Sequence, residues 1–245
     1  MNAKAEIYHL YHSGTAVKME DTLLIFDFYK DKLTADITDI FPGFENIKEV
    51  YVFASHGHAD HFSSDIFSWR DYNSGIKYIL SSDIRHKSQQ SEVNFMSPEQ
   101  KLKLGALQVN AFGSTDLGVS FLVQVKGNTI FHSGDLNWWH WQSFSETELK
   151  KEEKDFKKEV DKLKGRQIDI AFVPVDPRLE DYYYLAGEYF AQTIGPRILV
   201  PIHFGEKYSV VEKFQKKIAD SSVKVPGINR KERLIYTFNS GDENE

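Results

Sequence analysis

The chain has 245 residues, 41% of them hydrophobic and 27% charged, a balance that fits one large α/β domain or two small ones. Its net charge of −6 leaves no basic footprint for gripping polymeric nucleic acid or an anionic membrane. The absence of cysteine excludes disulfides and thiolate chemistry, so a metal would have to be held by His, Asp or Glu.

The opening "MNAKAEIYHLYHSG" has no basic region followed by an apolar core, so it does not read as a secretory signal. No apolar run approaches the roughly 18 residues that span a bilayer. A cytoplasmic, soluble chain is the expectation. "AEIYHLY" (5–11) and "LLIFDFY" (23–29) are β-rich, with "MEDT" (19–22) as a turn, which predicts an opening hairpin. "VYVFAS" (50–55) is the continuous apolar run of a strand covered on both faces. "SSDIFSW" (63–69) starts with capping residues and predicts a helix start, and "KYILSS" (77–82) predicts a strand.

"LQVNAF" (107–112), "VSFLVQV" (119–125) and "NTIFHSG" (128–134) form a second strand-rich block, with "KGN" (126–128) as a hairpin turn. Residues 145–165 carry seven lysines and seven acidic residues, with Leu149, Phe156, Val160 and Leu163 at spacings that make a helical apolar stripe. That segment reads either as a solvated amphipathic helix lying on the domain or as an inserted lid or dimerisation helix. "IDIAFVPV" (168–175) and "RILVPIHF" (197–204) are late strands. Between them "LEDYYYLAGEYFAQTIG" (179–195) predicts a helix ending at Gly195-Pro196. With no tandem repeat or low-complexity linker, residues 1–245 are taken as a single domain.

"SHGHADHF" (55–62) concentrates three of the nine histidines and one aspartate within six positions: His56, His58, Asp60 and His61. Two histidines at i and i+2 project to the same side of an extended segment. Asp60 and His61 fall in the turn that follows, so four ligand-type side chains can converge from one loop. Imidazole and carboxylate suit zinc, iron or manganese. Two other apolar runs also stop at a ligand-type residue: "TIFHSGD" at Asp135 and "ILVPIHF" at His203. Strand ends on one edge of an α/β sheet are where ligands bind. Alone, Asp135 reads equally as a turn residue and His203 as a packed one; the combination points to a metal centre.

"LNWWHW" (136–141) holds three of the four tryptophans. Trp138, Trp139 and Trp141 either anchor a loop on the core or wall a substrate pocket, with His140 as a polar contact or extra ligand. In "VPVDPRLED" (173–181), Asp176 and Arg178 either meet an anionic substrate group or pair in a local turn. "YYY" (182–184) reads as packing, with one tyrosine open to the pocket.

The order His-x-His-x-Asp-His, Gly-Asp after a strand, then a strand-terminal His resembles the metallo-β-lactamase superfamily. "YHSG", "HSGDLN" and "VPIHFG" are most similar to its L-ascorbate-6-phosphate lactonase-like branch, and the likeness spans roughly residues 8 to 208. The resemblance implies a four-layer αββα sandwich: two mixed sheets face to face, helices outside, and a site at one edge. It implies one divalent metal on His56 and His58, a second on Asp60, His61 and His203, and Asp135 bridging them. Zinc is the expected ion, with manganese or iron as alternatives, one or two per chain. Asp27 would support the metal loop; His132 would do the same or simply pack in its strand. The family has one more histidine between the first cluster and Gly-Asp, and here that position falls on Gly113 or Ser114. Asp116 is the candidate replacement ligand; otherwise the His56/His58 position is weak or empty.

The implied chemistry is hydrolysis by metal-acidified water, with Asp60 orienting the water and passing a proton to the leaving group. The expected substrate is a small anionic lactone, ester or phosphodiester. A cyclic phosphodiesterase or nuclease-type activity, and a metal-binding protein without turnover, are the alternatives. No nucleic-acid polymer or membrane partner is expected, and a homo-oligomer stays open.

Overall fold

A computed structural model describes residues 4–30, 36–87 and 93–239. The opening is a meander of three strands, β1 (Lys4–Tyr11), β2 (Gly14–Met19) and β3 (Thr22–Phe26). The predicted hairpin is thus corrected: "GTAVKM" is a middle strand, and "MEDT" turns from β2 rather than from β1. Its small residues and single lysine hid a strand whose other positions are all buried. Parallel strands β4 (Glu49–Ala54), β5 (Lys77–Ser81) and β6 (Val93–Met96) extend that sheet.

The second sheet begins with antiparallel β7 (Lys101–Leu104), β8 (Leu107–Phe112), β9 (Ser120–Val125) and β10 (Asn128–His132). Lys126 and Gly127 both have positive φ (51° and 77°) at the β9–β10 turn, as a two-residue hairpin requires. β11 (Ile170–Pro174) and β12 (Ile198–Ile202) then add in parallel. The chain finally returns as β13 (Leu234–Asn239) to pair with β1, so the sheets run β13-β1-β2-β3-β4-β5-β6 and β12-β11-β10-β9-β8-β7.

The sheets pack face to face through Val17, Phe26, Phe53 and Ile79 of one and Val109, Phe121, Ile130 and Phe172 of the other. Alternation along β3 sends Leu24 and Phe26 into that core and Leu23 and Ile25 into a second one, roofed by Phe41, Phe44 and Trp69. Of the helices α1 (Ile37–Ile40), α2 (Glu146–Asp161), α3 (Leu185–Thr193) and α4 (Ser209–Lys217), the last three bury Phe156, Phe190 and Phe214 against the second sheet's core. The result is the expected α/β architecture of two mixed sheets with flanking helices.

The charged segment forms α2, opened by a capping box between Ser145 and Glu148. Phe156, Val160 and Leu163 are buried, while Leu149 is half-buried. "SSDIFSW" turns out 3-10 helical over Ser64–Asp71, capped by Ser63. "LEDYYY" does not begin a continuous helix: Glu180 (φ 54°, ψ −116°) breaks it before α3. The helix does end before Gly195, which adopts φ 61°. The registers place the C-terminal ends of β3, β4, β10, β11 and β12 along one edge.

Candidate metal centre

The centre is built around Asp27, a buried carboxylate at φ 47° that closes β3. It accepts from the Ser55 backbone N–H (2.7 Å), the Ser55 hydroxyl (2.6 Å) and His61 Nδ1 (2.8 Å). One residue therefore fixes both the start of the histidine loop and its last ring. The second sheet closes on the same point. A Cβ on Gly118 would lie 2.0 Å from the Ser55 carbonyl oxygen, and one on Gly134 would lie 2.5 Å from the Ser55 Cβ. Both glycines have positive φ, so backbone conformation and space each demand glycine there. Asp83 accepts from the Gly57 N–H at 2.8 Å and holds the middle of the loop.

The ligand-type atoms converge from both sheets. His56 Nε2 and His58 Nδ1 approach to 2.9 Å, and His56 Nε2 lies 3.5 Å from Asp135 Oδ2. The other Asp135 oxygen sits 3.1 Å from His61 Nε2 and 3.2 Å from His203 Nε2. Among the described residues, three sets have their ligand atoms within 4.8 Å of one another: His12, Asp60, His61 and His203; His56, His61 and Asp135; His58, Asp116 and Asp135. His61 Nε2 and Asp135 Oδ1 are buried without a well-directed hydrogen bond, although they are in ion-pair contact. Buried polar atoms that face each other rather than hydrogen-bond partners, in an all-N/O donor set, fit a divalent cation.

The surroundings of these rings polarise them. Burial pushes the His61 imidazole down, but its close contacts with the Asp135 and Asp27 carboxylates outweigh it and raise its pKa to about 10. Burial pushes the Asp135 carboxyl up, and the His203 and His61 contacts overcome this to hold it well below its usual range. Burial likewise opposes ionisation of Asp176, yet hydrogen bonds from His203 and Arg178 bring it down to about 2.

Of the residues singled out from the sequence, His56, His58, Asp60, His61, Asp135 and His203 are brought together, with Asp116 beside His58. Gly113 sits under α2, its N–H on the Glu159 carboxylate at 3.0 Å, and a Cβ there would lie 2.8 Å from that carboxylate. A histidine at this position would have to displace Glu159. His132 is buried against Phe26, donates from Nε2 to the Ser13 carbonyl (3.0 Å) and accepts the Gly134 N–H on Nδ1 (3.1 Å). It both packs in its strand and braces the Gly134-Asp135 turn.

Asp176 does not face a substrate. It is fully buried, accepting from His203 Nδ1 at 3.0 Å and from the Arg178 guanidinium at 2.6 Å, and so orients a ligand-type ring. His12 was not singled out from the sequence, yet its ring centroid lies 4.2 Å from that of His203 and its Nε2 3.4 Å from Asp60. The available signal was the one used elsewhere: "YHSG" is an apolar run stopping at a ligand-type residue.

A cavity of about 390 Å³ opens on the cluster and is lined by His58, Asp60, Asp116, Asp135 and His203. Trp139, Trp141 and Phe144 form a wall, and Arg178 and Glu152 reach its rim. Trp139 and Trp141 stack within 4° of parallel at 5.8 Å, with the Arg178 guanidinium 5.9 and 5.7 Å from the two rings. Trp138 and His140 face elsewhere, because side chains alternate along this extended stretch. Trp138 packs on Phe156 and Tyr189, and His140 on Tyr182, so neither lines the cavity. None of Tyr182, Tyr183 and Tyr184 lines it either.

No protein-family profile matches the sequence, and no curated protein matches it. Solved structures do. The chain is similar to Igni18, a metallo hydrolase from the archaeon Ignicoccus hospitalis, at 14% identity and TM-score 0.67 over 96% of this chain and 99% of that one. The metallo-β-lactamase fold protein YhfI from Bacillus subtilis superposes at 12% identity and TM-score 0.61, over 97% and 99%. CmlA, a diiron β-hydroxylase from Streptomyces venezuelae, does so at 10% identity and TM-score 0.62, over 98% of this chain and 54% of CmlA. Two mixed sheets packed face to face, with their ligand-type residues gathered at one edge, and these likenesses together show that the chain adopts the metallo-β-lactamase fold.

Proposed function

We propose that the protein is a metal-dependent hydrolase acting on a small anionic lactone, ester or phosphodiester. The observation that carries this reading is the convergence of inward-facing ligand atoms at the aromatic-walled cavity. His61, His203, Asp60 and Asp135 would hold one divalent cation; His56, His58, Asp116 and Asp135 would hold another. Such cations supply Lewis acidity to water and to the oxygen of a carbonyl or phosphoryl group. Asp60 has a half-exposed side chain lining the cavity, placed to take a proton from water and return it to a leaving group. Arg178 presents its guanidinium to an anionic substituent, since Asp176 already fixes its orientation. Trp139 and Trp141 offer a flat apolar face and exclude water beside it.

The likeness of "YHSG", "HSGDLN" and "VPIHFG" to lactonase-like sequences favours a lactone of a phosphorylated sugar within this class. The acidic net charge disfavours a polymeric nucleic acid. The test is elemental analysis of chain purified without chelators, followed by a panel of lactones, aryl esters and bis(4-nitrophenyl) phosphate. We expect two cations per chain and turnover that His61→Ala lowers by at least about 100-fold. A chain that takes up no cation on reconstitution, or a His61→Ala variant with full turnover, contradicts the reading.

A further inference from the structure

The histidines of the centre sort by the ring nitrogen that the protein itself occupies. A neutral imidazole has one N–H and one lone pair, and only the lone pair binds a cation. His61 Nδ1 faces the Asp27 carboxylate at 2.8 Å, an acceptor, so its hydrogen lies there, and in the neutral ring that a cation requires the Nε2 lone pair faces Asp135. His203 Nδ1 faces Asp176 at 3.0 Å in the same way; Arg178 Nη2, 3.2 Å from that nitrogen, gives its hydrogen to Asp176 at 2.6 Å. His56 Nδ1 lies 3.0 Å from the Ser55 hydroxyl. That hydroxyl donates to Asp27 at 2.6 Å, so it accepts from His56 and leaves the Nε2 lone pair inward.

His12 is the reverse. Its Nδ1 receives the Gly205 backbone N–H at 3.2 Å, and a backbone amide can only donate. The hydrogen of the ring is therefore on Nε2, the nitrogen that lies in ion-pair contact with Asp60 Oδ2 at 3.4 Å and makes no well-directed hydrogen bond to any other group or, at this distance, to Asp60 itself. The backbone fixes this orientation: His12 sits at φ 54° in the β1–β2 turn, and its carbonyl accepts the His203 N–H at 3.1 Å. The β1–β2 turn and the end of β12 are thus tied at two points, with the ring between them.

We propose that His12, although its ring lies within the ligand cluster, is a positioning donor whose Nε2–H orients the Asp60 carboxylate, and not a metal ligand. This rests on the hydrolase reading above. In ¹⁵N-labelled wild-type protein loaded with ¹¹³Cd²⁺, nitrogens of His56, His61 and His203 should show coupling to cadmium. His12 should show none, with a bare Nδ1 and a protonated Nε2. Alongside this, His12→Ala should keep the wild-type cation stoichiometry while kcat falls about 10- to 100-fold and KM changes less than about threefold. His12→Gln, which restores an N–H near the Nε2 position, should recover most of the kcat. Cadmium coupling at His12, or a cation lost in His12→Ala, overturns the proposal alone, as does an unchanged kcat. A chain that binds no cadmium overturns the hydrolase reading and this proposal with it.

Discussion

At the scale of single residues, the proton on His61 competes with any cation. Its folded pKa of about 10 stands above the ordinary 6.5. The stability this ion pairing contributes is therefore complete below pH 6.5 and is lost as pH rises through about 10. A cation needs the Nε2 lone pair, so uptake near pH 7 should expel about one proton from this ring. Calorimetric titration in two buffers of different ionisation enthalpy should give apparent enthalpies that differ accordingly; identical enthalpies would remove His61 from the ligand set. Asp176 acts one step further out. Asp176→Asn leaves His203 Nδ1 and Arg178 without their carboxylate, and cation affinity should fall about 10- to 100-fold, read by competition with a chromophoric chelator. Arg178→Ala should raise KM for anionic substrates more than for neutral esters.

At the scale of elements, the histidine loop is held where two glycine turns of the second sheet clamp the end of β4. Gly118→Ala should destabilise by about 3 kcal/mol or more in urea unfolding, since its Cβ would lie 2.0 Å from the Ser55 carbonyl oxygen. Gly127→Ala, at φ 77° with nothing within 4 Å, should cost only the left-handed backbone penalty of about 1 kcal/mol. Equal losses in the two variants would refute the clamp. Little of this was legible in the sequence. "GSTDLG" reads as a polar loop, and only the closing of the two sheets shows that Gly118 meets Ser55 while Gly113 meets Glu159 of α2. Continuous apolar runs such as β4, β11 and β12 were legible, because strands covered on both faces need no polar alternation. β2 was not, because short, small side chains carry a weak apolar pattern even when fully buried.

At the scale of the whole molecule, the centre straddles the two sheets: His56 and His61 follow β4 of one, Asp135 and His203 follow β10 and β12 of the other. A bound cation therefore ties the sheets together and binds only the folded chain. At a cation concentration 100 times its Kd this linkage is worth about 2.7 kcal/mol. A chelator should thus lower Tm by about 5–10 °C, reversibly on adding the metal back. An unchanged Tm in scanning calorimetry would show that no cation links the sheets. By itself the sequence determined which residues could meet: ligand-type side chains that end apolar runs are carried to one sheet edge by strand geometry, however far apart in the chain. Only the tertiary structure decided what each does there. A histidine's role depends on which ring nitrogen its neighbours occupy, and those neighbours are remote: Asp27 for His61, Gly205 for His12. The same holds for Asp176, buried under His203 rather than exposed to substrate, and for Trp139 and Trp141, which alternation aims into the cavity while Trp138 packs on α2. Side-chain direction and hydrogen-bond partners are set by contacts between distant segments, and a linear pattern of residue types does not encode them.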